Sequence, residues 1–263
     1  MKHKYKIPFL IVVLQFISCK EISDVEVFGN TLVDSIATVD SEFDYLPSST
    51  SNDVYKNDAY TFSYKENFEQ SEWVAYELNE NDLNGSDYKR PYFNQDNAVK
   101  TKSADWRNYK NSGYNKGHLC PAADRKSSYT MYEKTFLTSN ASPQLYDFNS
   151  GIWNRLEQKV RFWAERYDGV YVITGGVLEE GLKTIGTEDV AVPNYFYKII
   201  LTKDKSNMIG FLIPHEDTEK PLYNFVVSVD EIEKMTGIDF FSALSDAAEN
   251  QLEANNGYKN WKF

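Results

Sequence analysis

The chain has 263 residues, with 28 Lys and Arg against 39 Asp and Glu, a formal net charge of −11 and a pI near 4.9. Hydrophobic residues make up 41% and charged ones 25%, which suffices for a packed core over most of the length, in one large domain or two small ones. Two Cys exclude a disulfide-dense scaffold, and the acidic total excludes a protein that coats nucleic acid with its whole surface.

Lys2, Lys4 and Lys6 precede an apolar run from Ile7 to Ile17. A charged start and a short apolar stretch have the layout of an export signal. The run is too short for the roughly 20 residues that span a bilayer. Phe16-Ile17-Ser18-Cys19 resembles a bacterial lipobox, with Phe where Leu is usual. The expected organisation is a signal peptide over 1–18, a lipidated acidic tether over 19–55 anchored to the membrane at Cys19, and one folded domain over 56–263. Localisation would be that of an exported bacterial cell-envelope lipoprotein, at the outer membrane or cell surface. The alternative is a plain secretory signal with an incidental Cys and a secreted or periplasmic protein. A lipid on Cys19 leaves Cys120 without a partner, so no intrachain disulfide is expected.

Ser48-Ser49-Thr50-Ser51-Asn52-Asp53 reads as the solvated end of the tether. Trp73 to Leu78 is aromatic and apolar, as in a strand. Asn149 to Arg166 carries Ile152, Trp153, Leu156, Val160 and Trp163 at steps of three and four, the period of an amphipathic helix. Gly169 to Leu178, Tyr195 to Thr202 and Met208 to Pro214 are β-branched and aromatic with Gly or Pro at their edges, and predict strands. A short helix is expected from Asp230, as N-cap, to Met235, stopped by Gly237, and a last one over 245–255. Strands on both sides of one long helix predict an α+β domain with a central sheet.

The charge is unevenly spread. Residues 19–88 sum to −13, residues 89–134 to +6, and residues 135–263 to −7. A local basic segment can steer a polyanion inside an acidic protein. That segment contains Tyr114-Asn115-Lys116-Gly117-His118. Two His beyond residue 18 are too few for a His-rich zinc site. His118 has the intrinsic pKa of a general base near neutrality, and Lys116 beside it can bind phosphate. A Cys hydrolase built on Cys120 and His118 lacks a third group or an oxyanion element. His215 reads as structural.

Tyr-Asn-Lys-Gly-His resembles the Asp-Arg-Gly-His signature of the DNA/RNA non-specific endonucleases. Asn140 to Gln144 resembles that family's Asn followed by Pro-Gln. Asn149 to Glu157 resembles its Asn-x-x-x-Trp-x-x-Leu-Glu block, and 192–198 and 236–241 are similar to further segments. The resemblance covers roughly residues 70–245. It implies the ββα-metal fold, a mainly antiparallel sheet flanked by helices, and hydrolysis of DNA and RNA phosphodiesters to 5′-phosphate products. It implies His118 as general base and Asn149 as the direct protein ligand of one Mg²⁺, with Mn²⁺ able to substitute. Glu157 would orient a water, Asn140 would support the site, and Lys116 and Arg90 would neutralise the transition state. Arg107 and Arg125 are further candidates for nucleic-acid contact. The family's Asp and Arg are Asn115 and Lys116 here, which loses one acid and one bidentate fork. A catalytically silent nucleic-acid-binding surface lipoprotein is the competing reading.

Overall fold

The computed structural model describes residues 43–254 and 256–263. The expected signal peptide, the lipidation site Cys19 and the first part of the tether lie outside the described residues.

The described chain opens with β1 (Val54–Lys56), β2 (Thr61–Lys65) and β3 (Gln70–Leu78), followed by a short α1 (Glu80–Leu83). A long irregular segment leads to β4 (Asn115–His118), α2 (Tyr129–Lys134) and β5 (Ala141–Gln144). The one-turn α3 (Tyr146–Phe148) runs through a wide helical turn at Asn149–Trp153 into α4 (Asn154–Arg166). Then come β6 (Val170–Gly176), β7 (Thr184–Ile185), β8 (Val190–Ala191), β9 (Tyr195–Thr202), β10 (Met208–Pro214) and β11 (Val226–Val227). Helices α5 (Val229–Thr236) and α6 (Asp246–Glu253) follow.

Seven strands form one antiparallel sheet in the order β1-β2-β3-β6-β9-β10-β11. The period-2 alternation of its strands divides the core in two. Val74, Tyr76 and Leu78 of β3, with Phe196 and Ile200 of β9, pack against Leu156, Val160 and Trp163 of α4. Trp73, Ala75, Tyr197, Ile199 and Leu201 face the other way, onto Val229 and Ile232 of α5 and onto Phe240 and Phe241. Helices thus cover both faces, which is the expected α+β architecture. β4 and β5 form a separate antiparallel pair outside this sheet, and with α4 they make a ββα unit.

Three expectations change. The segment from 43 to 55 is part of the fold, not tether: Phe43, Tyr45 and Leu46 pack on the second core, and Thr50 bonds Glu72 through its backbone N–H at 2.9 Å. Ser48 N–H donates to Asp239 O at 2.8 Å, and Trp73 Nε1 donates to Ser48 O at 2.8 Å. The Ser-rich composition reflects hydroxyls used in hydrogen bonds, not solvation. The cap of α5 is Ser228, whose Oγ accepts from Glu231 N at 3.2 Å, so Asp230 lies inside the first turn; Gly237 at φ 70° ends the helix as expected. The helix expected from Asn149 is broken. Gly151 has φ −93° and ψ −109°, and α4 begins only at Asn154. A Cβ at Gly151 would approach only the tip of the exposed Asp217 side chain, Oδ1 at 2.7 Å, and the kink falls at this glycine. Among the described residues no helix is long and apolar enough to cross a membrane.

Candidate active site

A cleft of about 940 Å³ opens where β4 meets the turn after α3. Lys89, Arg90, Lys116, Asn115 and Asn149 line it together with the aromatic rings of Tyr92, Phe93, Trp106, Tyr114 and Tyr146. Its lining has three cations and no carboxylate. Neither Arg90 nor Lys116 forms an ion pair among the described residues.

Two phenylalanines hold the reactive groups together. Phe93 packs against both Lys116, whose Nζ is 5.6 Å from the ring centre, and His118, whose tilted ring lies 5.1 Å away between centroids. Phe136 packs edge-on against His118 at 5.0 Å and carries the Arg90 guanidinium 5.5 Å from its centre. Arg90, Lys116 and His118, distant in sequence, are therefore joined through shared apolar neighbours. Burial first, and the Arg90 charge second, push the His118 imidazole down to about 3. The same two causes, in the same order, depress the Lys116 ammonium below its ordinary value. His118 is thus neutral at physiological pH. Its Nε2 is enclosed and has no hydrogen-bond partner.

β4 positions these side chains by pairing with β5: Lys116 faces Pro143, and His118 faces Ala141. Gly117 between them has no room for a Cβ, because the Gln144 side chain lies across it. The amide of that buried Gln144 has no partner at either atom. Asn140 is fully buried. Its Oδ1 accepts from Cys120 N at 2.8 Å, and its Nδ2 donates to Cys120 O and Thr135 O, each at 2.9 Å. It clamps the chain just after His118. Trp153 Nε1 donates to His118 O at 3.4 Å from the other side.

Asn149 reaches the cleft from α3. Its backbone is helical, φ −63° and ψ −45°, so it closes α3 and is not the N-cap of the helix that follows, and its side-chain amide makes no hydrogen bond among the described residues. The kink at Gly151 separates its direction from that of α4, so straight-helix arithmetic between Asn149 and Glu157 does not apply. His215 fixes this turn. Its Nε2 accepts from Leu145 N at 2.8 Å while Nδ1 donates to Pro193 O at 2.9 Å.

Below α4 lies a second charged group of a different kind. Asp124, fully buried, accepts from Tyr76 OH and from Arg161 NH1, each at 2.9 Å. The half-buried Glu157 belongs to this group and does not line the cleft. Burial raises its carboxyl to about 7; the Lys198 charge opposes that rise and the Asp124 charge adds to it. Lys198 is buried in β9, Nζ 4.7 Å from the centre of Trp153 and 3.4 Å from Leu119 O.

The model of the DNA/RNA non-specific endonucleases matches residues 41–247. The chain belongs to that family. Nuclease EXOG, mitochondrial, of Danio rerio is 34% identical over 229 residues, covering 80% of this chain and 66% of that protein. Nuclease C1 of Cunninghamella echinulata var. echinulata is 31% identical over 214 residues, covering 74% of this chain and 85% of its own. A chain in the crystal structure of the EndoG/EndoGI complex matches with a TM-score of 0.70 at 29% identity, covering 78% of this chain and 90% of that one. The chain spans 66% and 61% of the length of the Danio rerio and Homo sapiens EXOG proteins.

In this family member Arg90, Lys116 and Asn149 line one cleft, His118 packs behind it on Phe93 and Phe136, and the other candidates lie elsewhere. Asn140 contacts only backbone and is a positioning residue, not a catalytic one. Arg125 is no surface base. It is 2% exposed, donates to Ala59 O and Glu77 O, and covers the Tyr76 ring at 4.7 Å. Nucleic acid cannot reach it without unfolding, so its assignment to substrate binding is withdrawn. Arg107 is exposed but already bidentate on Asp105, at 2.8 and 2.6 Å. Cys120 is buried with its thiol pushed up to about 12, chiefly by burial, which removes the thiolate a Cys hydrolase needs. Sequence reasoning gave Lys198 and Gln144 no role. Lys198 could have been noticed, since Phe196-Lys198-Ile200 places a cation in the inward register of an apolar strand.

Proposed function

We propose that this chain is a metal-dependent, sugar-non-specific endonuclease that hydrolyses DNA and RNA phosphodiesters to 5′-phosphate products. The observation that carries this reading is the convergence of two unpaired cations and an unpartnered amide on one cleft without carboxylates, with the neutral His118 enclosed directly behind the lining residue Phe93. A polyanion supplies the charge that Arg90 and Lys116 lack. Contacts of this kind go to the backbone and carry no sequence information, which fits cleavage of both nucleic acids. Tyr92, Trp106 and Tyr146 expose rings around the cleft on which bases can stack.

The donor set fits a hard divalent cation. The free amide of Asn149 offers one neutral oxygen, and Mg²⁺ characteristically takes few protein ligands and keeps waters and phosphate oxygens. Mn²⁺ suits the same donors. When bound, the cation supplies Lewis-acid stabilisation of charge at the phosphate and the departing 3′ oxygen. In this reading His118 takes the proton of the attacking water; its pKa in the free protein is lower than the near-neutral value its residue type suggests, and a phosphate on Arg90 would offset one of the two causes of that depression. Lys116 and Arg90 hold the phosphate and stabilise its growing charge. Asn140, Trp153 and Phe136 keep His118 in place.

The N-terminal sequence supports export and lipidation at Cys19. Loss of fatty-acid labelling in Cys19→Ala is the expected outcome, and labelling that persists would leave the plain secretory signal. For the activity, His118→Ala should lower Mg²⁺-dependent plasmid degradation by ~10²–10⁴-fold with unchanged circular dichroism. Cleavage at the parental rate would remove the general-base assignment.

A further inference from the structure

The junction of α5 and α6 has a feature that the cleft does not use. Asp230 and Glu233 stand one turn apart on α5, and Glu253 is the last residue of α6. One carboxylate oxygen from each lies within 4.8 Å of the others. Asp230 is exposed and Glu233 half-buried, while Glu253 is only 5% exposed. Oε1 of Glu253 is enclosed and has no hydrogen-bond partner. Glu233 uses one oxygen to accept from Phe240 N at 2.9 Å. None of the three forms an ion pair among the described residues. Glu253 also sits at the negative end of its helix, the wrong place for an anion. A dehydrated carboxylate turned toward two others therefore lacks any counter-charge from the protein.

We propose that this junction binds a divalent hard cation of the Ca²⁺ class, which ties α6 to α5. All the donors are carboxylate oxygens, the preference of Ca²⁺, Mg²⁺ and Mn²⁺. Calcium–oxygen bonds of ~2.3–2.6 Å bridge oxygens up to about 5 Å apart, whereas Mg²⁺ at ~2.0–2.1 Å demands a tighter octahedron. The exposed side at Asp230 leaves room for the waters that complete a Ca²⁺ shell. The competing solution is a proton on Glu253. Burial first, then Glu233, Glu249, Asp230 and Asp239, raise its carboxyl to about 8.

The test uses metal-stripped full-length protein titrated with CaCl2 alone, followed by thermal unfolding and calorimetric binding. The unfolding midpoint should rise saturably, on the order of 5 °C at a large excess over Kd. Glu253→Gln and Asp230→Asn should each lose that rise, and Asn149→Ala, in the cleft, should keep it. Asp230→Asn changes an exposed residue and carries the test if Glu253→Gln does not fold. The proposal is overturned by no Ca²⁺ response in the wild type, by a response that survives both carboxylate variants, or by one that disappears in Asn149→Ala.

Discussion

The cleft gathers Lys89, Arg90 and Lys116 with no carboxylate in its lining, whereas the α5–α6 junction gathers Asp230, Glu233 and Glu253 with no cation paired to them. Both stand apart from the interior below α4, where Asp124 meets Arg161 at 2.9 Å and Arg125 lies 3.8 Å from Asp82. A buried charge costs several kcal/mol unless it is matched, and Asp124 and Arg125 are matched within the interior. The two uncompensated places call for a partner from outside, a polyanion in one and a cation in the other. The basic segment of the sequence is thereby divided by use. Of its candidates, Arg125 stabilises the fold, Arg107 is held by Asp105, and Arg90 and Lys116 are left for a ligand.

The largest effect should come from breaking the matched interior. Arg125→Ala should destabilise by ~3–5 kcal/mol in urea unfolding, because it removes the cation beside Asp82 and leaves the carbonyls of Ala59, Glu77 and Asp124 without their donor. Lost nucleic-acid affinity with intact stability would instead make it a substrate contact. Lys116→Ala should spare stability and lower cleavage by ~10²-fold. It should also reduce the salt dependence of binding by about one phosphate contact.

A third effect follows pH. The folded His118 pKa, near 3, lies below the ordinary ~6.5, so the unfolded chain binds the proton first as pH falls. The stabilising contribution is complete above about 6.5 and is lost on acidification toward 3. Urea titrations of wild type and His118→Ala between pH 4 and 7 should show a shallower slope in the variant. The smallest effect is at the acidic junction. Without added cation, Glu253 holds its proton longer in the folded state, which stabilises at low pH and fails as pH rises through about 8. Glu253→Gln should therefore gain stability over wild type as pH rises above about 8.

Much of this was legible in the sequence where one period governs a segment. β9 and β10 run over the stretches expected, because β-branched alternation and flanking turns agree there. The Asn-Lys-Gly-His and Asn149 blocks placed three of the four converging residues. What stayed hidden depends on contacts across the chain. One Gly in a helical pattern does not announce a kink, so the break at Gly151 was missed and Asn149 was read as a helix start. Charge in a sequence does not reveal burial, so Arg125 and Arg107 looked like Arg90. Ser and Thr around residue 50 looked like linker, because their partners Glu72 and Asp239 come much later. Lys198 and Glu253 matter through burial, which composition does not show.

The most direct test incubates purified wild-type protein and Asn149→Ala with supercoiled plasmid and with single-stranded RNA, across a Mg²⁺ series and with EDTA. Wild type should degrade both substrates in proportion to added metal, stop in EDTA and leave 5′-phosphate ends, while Asn149→Ala should be strongly impaired at every concentration. A wild-type gel shift without cleavage, or equal cleavage by the two proteins, would contradict the account.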